Sequence, residues 1–526
     1  MAIAANPFGF AQLPRPLIYC LGKVRNGSSV TSAVDFSAGP TCVIKENSQV
    51  SIKKAKGDDE LKMPEWKMLN SEDLGLRSAS ISKPTRLILN ELRKKGYTVY
   101  LVGGCVRDLI LKKTPKDFDI ITSAELKEIL KTFPRCEIVG KRFPICHVHI
   151  GDTVVEVSSF STTARKSDRR ISGFKIPYDC NEHDYLRWKN CLRRDFTING
   201  LMFDPYEKIV YDYMGGLDDI KKAKVRTVIP ANMSFVEDCA RILRAFRIAA
   251  RLRFSFTKDL ARSVRELSGS ILRLDKGRIL MEMNYMLAYG SAEASLRLLW
   301  RFGFMELLLP VQASYFVSQG FKRRDERSNM LLALLSTLDT IATPDQPCQT
   351  SLWVGLLAFH QALVDKPRDP VVIAAFSLSV HSGGSLAEAV NIARRISQPY
   401  DSSFTEVLES GSSLTNSSLL DEIVDLQASV EDALSKMADE SFVSHAMSKY
   451  PQAPFSDVVF ISFALLMRVR KIFECVSRGK RGTVSKRGSR TDYDSSAPGS
   501  LNEVRRLFAR IVFDTVYPPK LNSQAG

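Results

Sequence analysis

Residues 101–120 read LVGGCVRDLILKKTPKDFDI. Leu101 and Val102 close an apolar, β-rich run; Gly103 and Gly104 follow, and without a Cβ they let the backbone approach an anion. Arg107-Asp108 comes next, and then Asp117 and Asp119 flank Phe118. On a strand the side-chain period is two, so both carboxylates emerge on one face while Phe118 turns to the core. Paired carboxylates downstream of phosphate-accepting glycines describe a Mg²⁺ site for a nucleoside triphosphate. A D-x-D triplet alone is more often a solvated turn; the order and spacing of this one with the motifs downstream carry the reading.

Working outward, Thr85 to Lys95 has helical spacing, and the fold begins near Pro84. Short or alternating apolar runs at 98–102, 117–121, 136–139, 145–150 and 153–157, with helical patterns at 105–112 and 124–132, describe a small α/β head. Gly151-Asp152 is a two-residue hairpin turn between two of these runs. Past about residue 230 helical periodicity takes over, at 235–253, 275–288, 291–308, 327–342, 352–363, 370–380, 385–396, 419–437 and 456–476. Residues 478–500, rich in Gly, Ser, Lys and Arg, read as a flexible basic linker before a short helix near 501–512.

The 526 residues are 44% hydrophobic, ample for buried cores, and Lys plus Arg exceed Asp plus Glu to give a net charge of +16. That balance favours a polyanionic partner, nucleic acid first. Ten cysteines without a C-x-x-C pair and only six histidines argue against a zinc ribbon or a disulfide framework and for a reducing compartment. His147 and His149 share a strand face, but with no clear third ligand they read as ordinary strand residues. No apolar run is long enough to span a membrane. The chain starts Met1-Ala2, carries Ser28, Ser29, Ser32 and Ser37, and has only Asp35 and Glu46 as acids over its first roughly 55 residues, which reads as an organellar transit peptide, chloroplast favoured over mitochondrion. Cleavage would fall between about residue 40 and residue 75.

Two divalent ions beside a triphosphate need a third carboxylate, and Glu156, an acid within the valine run TVVEVSSF, is the best candidate. Alternation with Val155 and Val157 also permits an edge-strand Glu facing solvent. In LRRDFTING, residues 192–200, the forked donors Arg193 and Arg194 fit phosphate and ribose hydroxyls, and Asp195 orients an arginine or accepts from a sugar. In EDCARILRAFRIAARLR, residues 237–253, Arg241, Arg244, Arg247 and Arg251 lie within about a 120° sector of a helix. Asp238, three residues before Arg241, shares its side and sets an acceptor beside a donor. Such a pair matches adenine and cytosine over guanine and uracil, and does not by itself separate A from C.

GGCVRD with PKDFD, then EVSSF, RRDFTINGL and EDCARILRAFRIAARL, occur in the order seen in the nucleotidyltransferases that include bacterial-type poly(A) polymerases and class II CCA-adding enzymes. The resemblance is strong over residues 84–260 and weak to about 310. It implies an α+β fold, a small nucleotidyltransferase α/β head followed by an elongated α-helical neck and body. Residues 1–70 would then be the leader, 84–225 the head, 226–310 the neck, 311–477 the body, 478–500 the linker and 501–526 a terminal helix and tail. It further implies catalysis and metal binding (two Mg²⁺ ions) at Asp117 and Asp119 with Glu156 in support. Gly103, Gly104, Arg107 and Asp108 would hold the triphosphate, with Arg193, Arg194, Asp195 and Asn199 at the ribose. Asp238 and Arg241 would read the base, and Arg244 would sit near the phosphates.

IVGKRFPICHV at 138–148 resembles a segment of the poly(A) polymerase branch, and Lys141, Arg142 and Phe143 there suit single-stranded RNA. The expected activity is therefore that of a polynucleotide adenylyltransferase, taking ATP and RNA 3′ ends of mRNA or tRNA. CCA addition to tRNA and an inactive RNA-binding module are the alternatives. Two positions depart from the family pattern: Lys112 stands where a glycine is usual, and Ser161 where an arginine is.

Overall fold

The computed structural model describes residues 65–140, 144–164, 180–383, 385–409, 415–450, 459–480 and 499–519. Much of the expected leader, Lys141, Arg142, Phe143 and residues 481–498 of the expected linker lie outside them.

The head is a mixed eight-stranded sheet. Its strands are β1 Lys67–Asn70, β2 Val99–Val102, β3 Asp119–Thr122, β4 Cys136–Val139, β5 Ile145–Ile150, β6 Thr153–Ser159, β7 Leu201–Asp204 and β8 Ile209–Asp212. They lie in the order β1-β8-β7-β2-β3-β6-β5-β4, with β3 and β6 parallel and every other neighbour antiparallel. Strand periodicity explains why β2 is apolar at every position. Val99 and Leu101 pack into one core, and Tyr100 and Val102 into the layer on the opposite face.

The first face is covered in part by the helix Lys83–Lys94, whose N-terminus is capped by the Ser82 hydroxyl accepting from the Thr85 amide. The second face is covered by the helix Glu182–Cys191, which buries Trp188. Arg187 of that helix is buried too, and is satisfied by Asp184 (2.7 Å), the Tyr213 hydroxyl (2.8 Å) and the Tyr100 hydroxyl (2.8 Å). This network fixes the helix whose end delivers Arg193 and Arg194.

Several expectations are corrected. The fold begins upstream of Pro84: β1 pairs with β8, with Lys67 opposite Asp212, and so falls inside the span expected to be leader. Asp117 is not on a strand, because β3 starts only at Asp119, and the residues before it form a bend after Pro115. The helix expected over 235–253 is two helices, Ala231–Glu237 and Ala240–Leu252, broken where Asp238 takes an extended backbone (φ −149°, ψ 98°). The one expected over 291–308 also splits, at Gly303, whose φ of +81° ends Ala292–Phe302. The linker begins later than residue 478, since the helix Phe463–Lys480 runs through that position.

Beyond the head the described elements are helices, apart from a two-residue strand, Ser255–Phe256, paired parallel to Lys224–Val225. The helices Lys276–Leu287 and Ala292–Phe302 pack on Ala240–Leu252 to make a neck. Farther on, Phe359, Phe376, Phe473 and Phe508 cluster, which docks the terminal helix Leu501–Val516 onto the body. No helix among the described residues is long and apolar enough to cross a membrane, and the described cysteines are all free.

Candidate active site

The ends of β2, β3 and β6 converge at one edge of a cleft between the sheet and the neck. In the parallel register Asp119 of β3 stands beside Glu156 of β6. Val155 and Val157 enter the core, so Glu156 points away from it, on the face that Asp119 shares with Ile121. β6 is an interior strand, so Glu156 is not on an edge, although its side chain is exposed and lies 3.8 Å from His147 Nε2. Asp117, although off the strand, lines the same 240 Å³ cavity as Asp119 and Glu156. The structure thus brings all three expected carboxylates to one cavity. Phe118 packs against the core as expected.

Gly103 is the hinge of the site. Its φ of +81° turns the chain out of β2 into the helix Gly104–Ile110, and a Cβ there would come within 2.8 Å of Arg194 Nη1 and 3.2 Å of Asp119 Oδ2. Only a glycine leaves room for that guanidinium and that carboxylate together. Burial pushes the Asp119 carboxyl up to about 6, since the opposing pull of Arg194 is not enough to offset burial and repulsion from Glu156 and Asp117. The donor set is carboxylate oxygen, and Asp119 is short of positive charge; both fit a hard divalent cation. No group of three His, Cys, Asp or Glu close enough to hold a metal occurs among the described residues.

A hydrogen-bonded ladder crosses the cleft. Arg107 donates to Asp108 Oδ1 from Nε (2.8 Å) and Nη2 (2.7 Å), and to Asn199 Oδ1 from Nη1 (2.6 Å). The Asn199 amide donates to Asp195 Oδ1 (3.0 Å), and Asp195 Oδ2 accepts from Arg244 of the neck (3.0 Å). Burial would raise the Asp195 carboxyl, but Arg244, Asn199 and the Phe196 amide outweigh it and hold it below the usual carboxylate range. The turn Thr197–Asn199 that carries Asn199 packs closely on Gly216, where any Cβ would collide with the Thr197 carbonyl.

Asp238 and Arg241, expected to present an acceptor beside a donor to a base, each hold other protein partners here. Arg241 donates to Ser234 Oγ (2.9 Å), Glu237 Oε2 (3.2 Å) and the Arg193 carbonyl (3.3 Å), while Asp238 Oδ1 accepts from the Ala240 amide (3.1 Å). The helix break separates them, and Glu237, four residues before Arg241, is the acid that meets it. Both Asp238 and Arg241 nevertheless line the main cavity of 780 Å³, as do Gly103, Gly104, Arg107, Arg193, Arg194, Asp195, Asn199 and Arg244. Asp108 lines the smaller one. Eight arginines and five carboxylates line the main cavity, an excess of positive charge that suits a polyanion.

Sequence reasoning gave no role to Glu282 and Arg278. Glu282 is fully buried between Arg247 (3.3 Å) and Arg278 (3.0 Å). Its signal was present, an acid inside the apolar run ILMEMNYML, the same anomaly that exposed Glu156. The two departures also have local accounts. Lys112 adopts φ +56°, the left-handed region that explains a glycine at that turn, and Ser161 forms a hydroxyl contact with Ser159 (2.9 Å).

A glycine turn on a strand end, carboxylates at and beside the neighbouring strands and an arginine-lined cleft against a helical neck make up one site. Residues 99–226 match the family profile described as Poly A polymerase head domain, and residues 253–316 the one described as probable RNA and SrmB-binding site of polymerase A. The chain carries both domains of that family and is homologous to bacterial poly(A) polymerase I and to CCA-adding enzymes. It is 30% identical over 294 residues to poly(A) polymerase I of Haemophilus influenzae, covering 54% of this chain and 64% of that one. To the CCA-adding enzyme of Geobacillus thermodenitrificans it is 35% identical over 213 residues, covering 40% and 51%. It therefore spans less than two thirds of the curated relatives it matches. Among solved structures it is similar to the Bacillus stearothermophilus CCA-adding enzyme in complex with CTP, at 22% identity and a TM-score of 0.42 over 76% of this chain and 94% of that one.

Proposed function

We propose that this chain is a template-independent RNA adenylyltransferase that moves AMP from ATP to an RNA 3′ hydroxyl. The observation that carries the reading is Asp119 beside Glu156 with Gly103 pressed against Asp119 and Arg194, at the mouth of an arginine-lined cavity. The 3′ hydroxyl attacks the α-phosphate, its oxygen forming the new P–O bond as the bond to pyrophosphate breaks. Gly103 and Gly104 present bare backbone to the phosphates, and Arg194, whose Nε is buried without a hydrogen-bond partner, offers a donor to them. Asp195 and Asn199, held by Arg244 and Arg107, orient the ribose. Asp238 accepts from the exocyclic amine of the base, beside Arg241. Asp117 and Asp119, with Glu156, would hold two Mg²⁺ ions, which when bound activate the attacking hydroxyl and neutralise charge on the departing pyrophosphate.

The choice of poly(A) over CCA rests on IVGKRFPICHV and on the longer stretch matched to poly(A) polymerase I, 294 residues against 213. The CCA-adding alternative is favoured by the higher identity of its shorter match, 35% against 30%. Incubation of the protein with each NTP, on an unstructured RNA and on a tRNA lacking its 3′ end, separates them. Extension of the unstructured RNA with ATP alone is expected. Ordered C-C-A addition restricted to the tRNA would exclude the poly(A) product, and RNA binding with no extension would leave a binding module.

Gly103→Ala tests the hinge. A Cβ at 2.8 Å from Arg194 Nη1 and 3.2 Å from Asp119 Oδ2 must displace the guanidinium or the strand end by some tenths of an ångström, and since a misplacement of about 1 Å costs about 100-fold in rate, the loss here is about 10-fold. The expected result is a fall in kcat/KM of about that factor with an unchanged circular dichroism spectrum.

A further inference from the structure

The smaller cavity has a wall that the reading so far leaves without a role. On its head side stand Asp117, Asp119 and Glu156; on its neck side stand Tyr285 and Tyr289. Tyr285 belongs to the helix Lys276–Leu287, and Tyr289 follows in the turn after it. Four residues apart, they lie on one side of the neck, with ring centroids 5.1 Å apart. Three observations make this more than core packing. Both rings are only half-buried although each lines the cavity. Lys116, exposed in the bend before Asp117, places its ammonium 4.8 Å from the Tyr289 centroid and 5.9 Å from that of Tyr285. The guanidinium of Arg247 lies 4.8 Å from the Tyr285 centroid. Two aromatic rings with cations over them, opening on a cavity of 240 Å³ beside the carboxylates, are the elements from which single-stranded nucleic acid sites are built.

Stereochemistry says which nucleic acid. In a displacement at phosphorus the attacking and leaving oxygens lie roughly in line, on opposite sides of the reacting centre. Of the residues assigned to the incoming nucleotide, Asp195, Asn199, Asp238, Arg241 and Arg194 line the 780 Å³ cavity and not the smaller one, whereas Asp108 lines only the smaller one. Asp119, Glu156, Gly104, Arg247, Arg251 and Tyr285 line both. With ribose and base in the larger cavity, the attacking hydroxyl arrives from the other side of the carboxylates, the side that Tyr289 and Lys116 enclose and that Tyr285 borders from both cavities.

We propose that Tyr285 and Tyr289 form the seat for the terminal base of the RNA acceptor, with Lys116 at its phosphate, an assignment that rests on the function proposed above. Stacking accepts any base, which suits an acceptor whose last nucleotide varies, whereas the selective contacts are reserved for the incoming nucleotide.

The test uses the full chain and a short single-stranded RNA ending in 2-aminopurine, whose fluorescence is quenched on stacking. Tyr289→Ala, which touches only the smaller cavity, is expected to relieve the quenching and raise the KM for RNA by about 10- to 100-fold, leaving the KM for ATP within about twofold. Tyr289→Phe, which keeps the ring, restores both. Lys116→Ala, an exposed change that leaves the fold intact, is expected to lower the slope of log affinity against log salt by about 0.7, one phosphate contact. A rise in the KM for ATP with quenching unchanged, or full quenching by Tyr285→Ala and Tyr289→Ala together, would overturn the assignment. Quenching that depends on the tyrosines in a protein that extends no RNA would uphold the seat while refuting the transferase reading, so the two fail separately.

Discussion

Asp119→Asn is expected to remove RNA extension, by at least about 1,000-fold, and at the same time to stabilise the metal-free protein above pH 6. The two effects share one cause. Burial, repulsion from Glu156 and Asp117, and only partial relief from Arg194 leave the folded carboxyl titrating at about 6, whereas the unfolded one titrates near about 3.9. Between those values the folded protein binds more protons than the unfolded chain, so the contribution of Asp119 to stability falls as pH rises through the window and is fully unfavourable above it. The penalty is on the order of 3 kcal/mol. Asparagine carries no charge and keeps the shape. Urea midpoints of variant and parent, measured with a chelator present, should coincide near pH 4 and separate from there to pH 6, the variant being the more stable. Added Mg²⁺ should then raise the parent's midpoint and leave the variant's unchanged. A parent whose midpoint does not fall relative to the variant over this range would contradict the electrostatic account. Retention of extension by the variant would contradict the catalytic one.

How much of this was legible in the sequence depends on the range over which each interaction acts. β5 and β6 fall where alternation and the Gly151 turn put them, because the period-two pattern and the turn chemistry are both local. β1, KMLN, has only two apolar residues, and β7 and β8, LMFD and IVYD, run three apolar residues into an acid, so no period marks them, and they exist as strands because neighbours in the sheet supply their hydrogen bonds. Asp117 leaves the strand because Pro115 and the bend after it intervene, which spacing alone does not register. The break at Asp238 is similar. The arginine stripe continues smoothly through periodicity, yet the helix restarts at Ala240, and the acid that meets Arg241 is Glu237 and not Asp238. The site residues themselves were legible as types, since a carboxylate among valines or a guanidinium repeat is anomalous wherever it occurs. Their pairings were not. Arg107 meets Asn199 across 92 positions, and Asp195 meets Arg244 across 49, contacts that only the closed topology creates.

The Asp195–Arg244 contact carries the second large effect, because it joins the sheet end to the neck inside the cleft. Asp195 is 8% exposed, and its carboxylate is held ionised by Arg244 and Asn199. Arg244 is correspondingly held charged: burial disfavours its cation, and Asp195 more than compensates. Removing one partner leaves the other charge in the cleft without its counterpart, which for buried pairs costs about 3–5 kcal/mol. Asp195→Ala and Arg244→Ala should therefore each lower the urea-derived stability by an amount in that range. The double change Asp195→Leu with Arg244→Met should regain most of it, because replacing both members of a buried ion pair by apolar residues of similar volume is often neutral, whereas removing one is not. Activity should behave differently. Neither single nor double variant is expected to extend RNA at more than about 1% of the parental rate, since the ribose loses its acceptor and the ladder through Asn199 and Arg107 loses its anchor on the neck. Recovery of stability without recovery of activity would show the pair to be retained for placing the nucleotide between head and neck. A double variant no more stable than either single one would instead place the loss in the rest of the ladder, and a double variant that extends RNA would remove Asp195 from the ribose site.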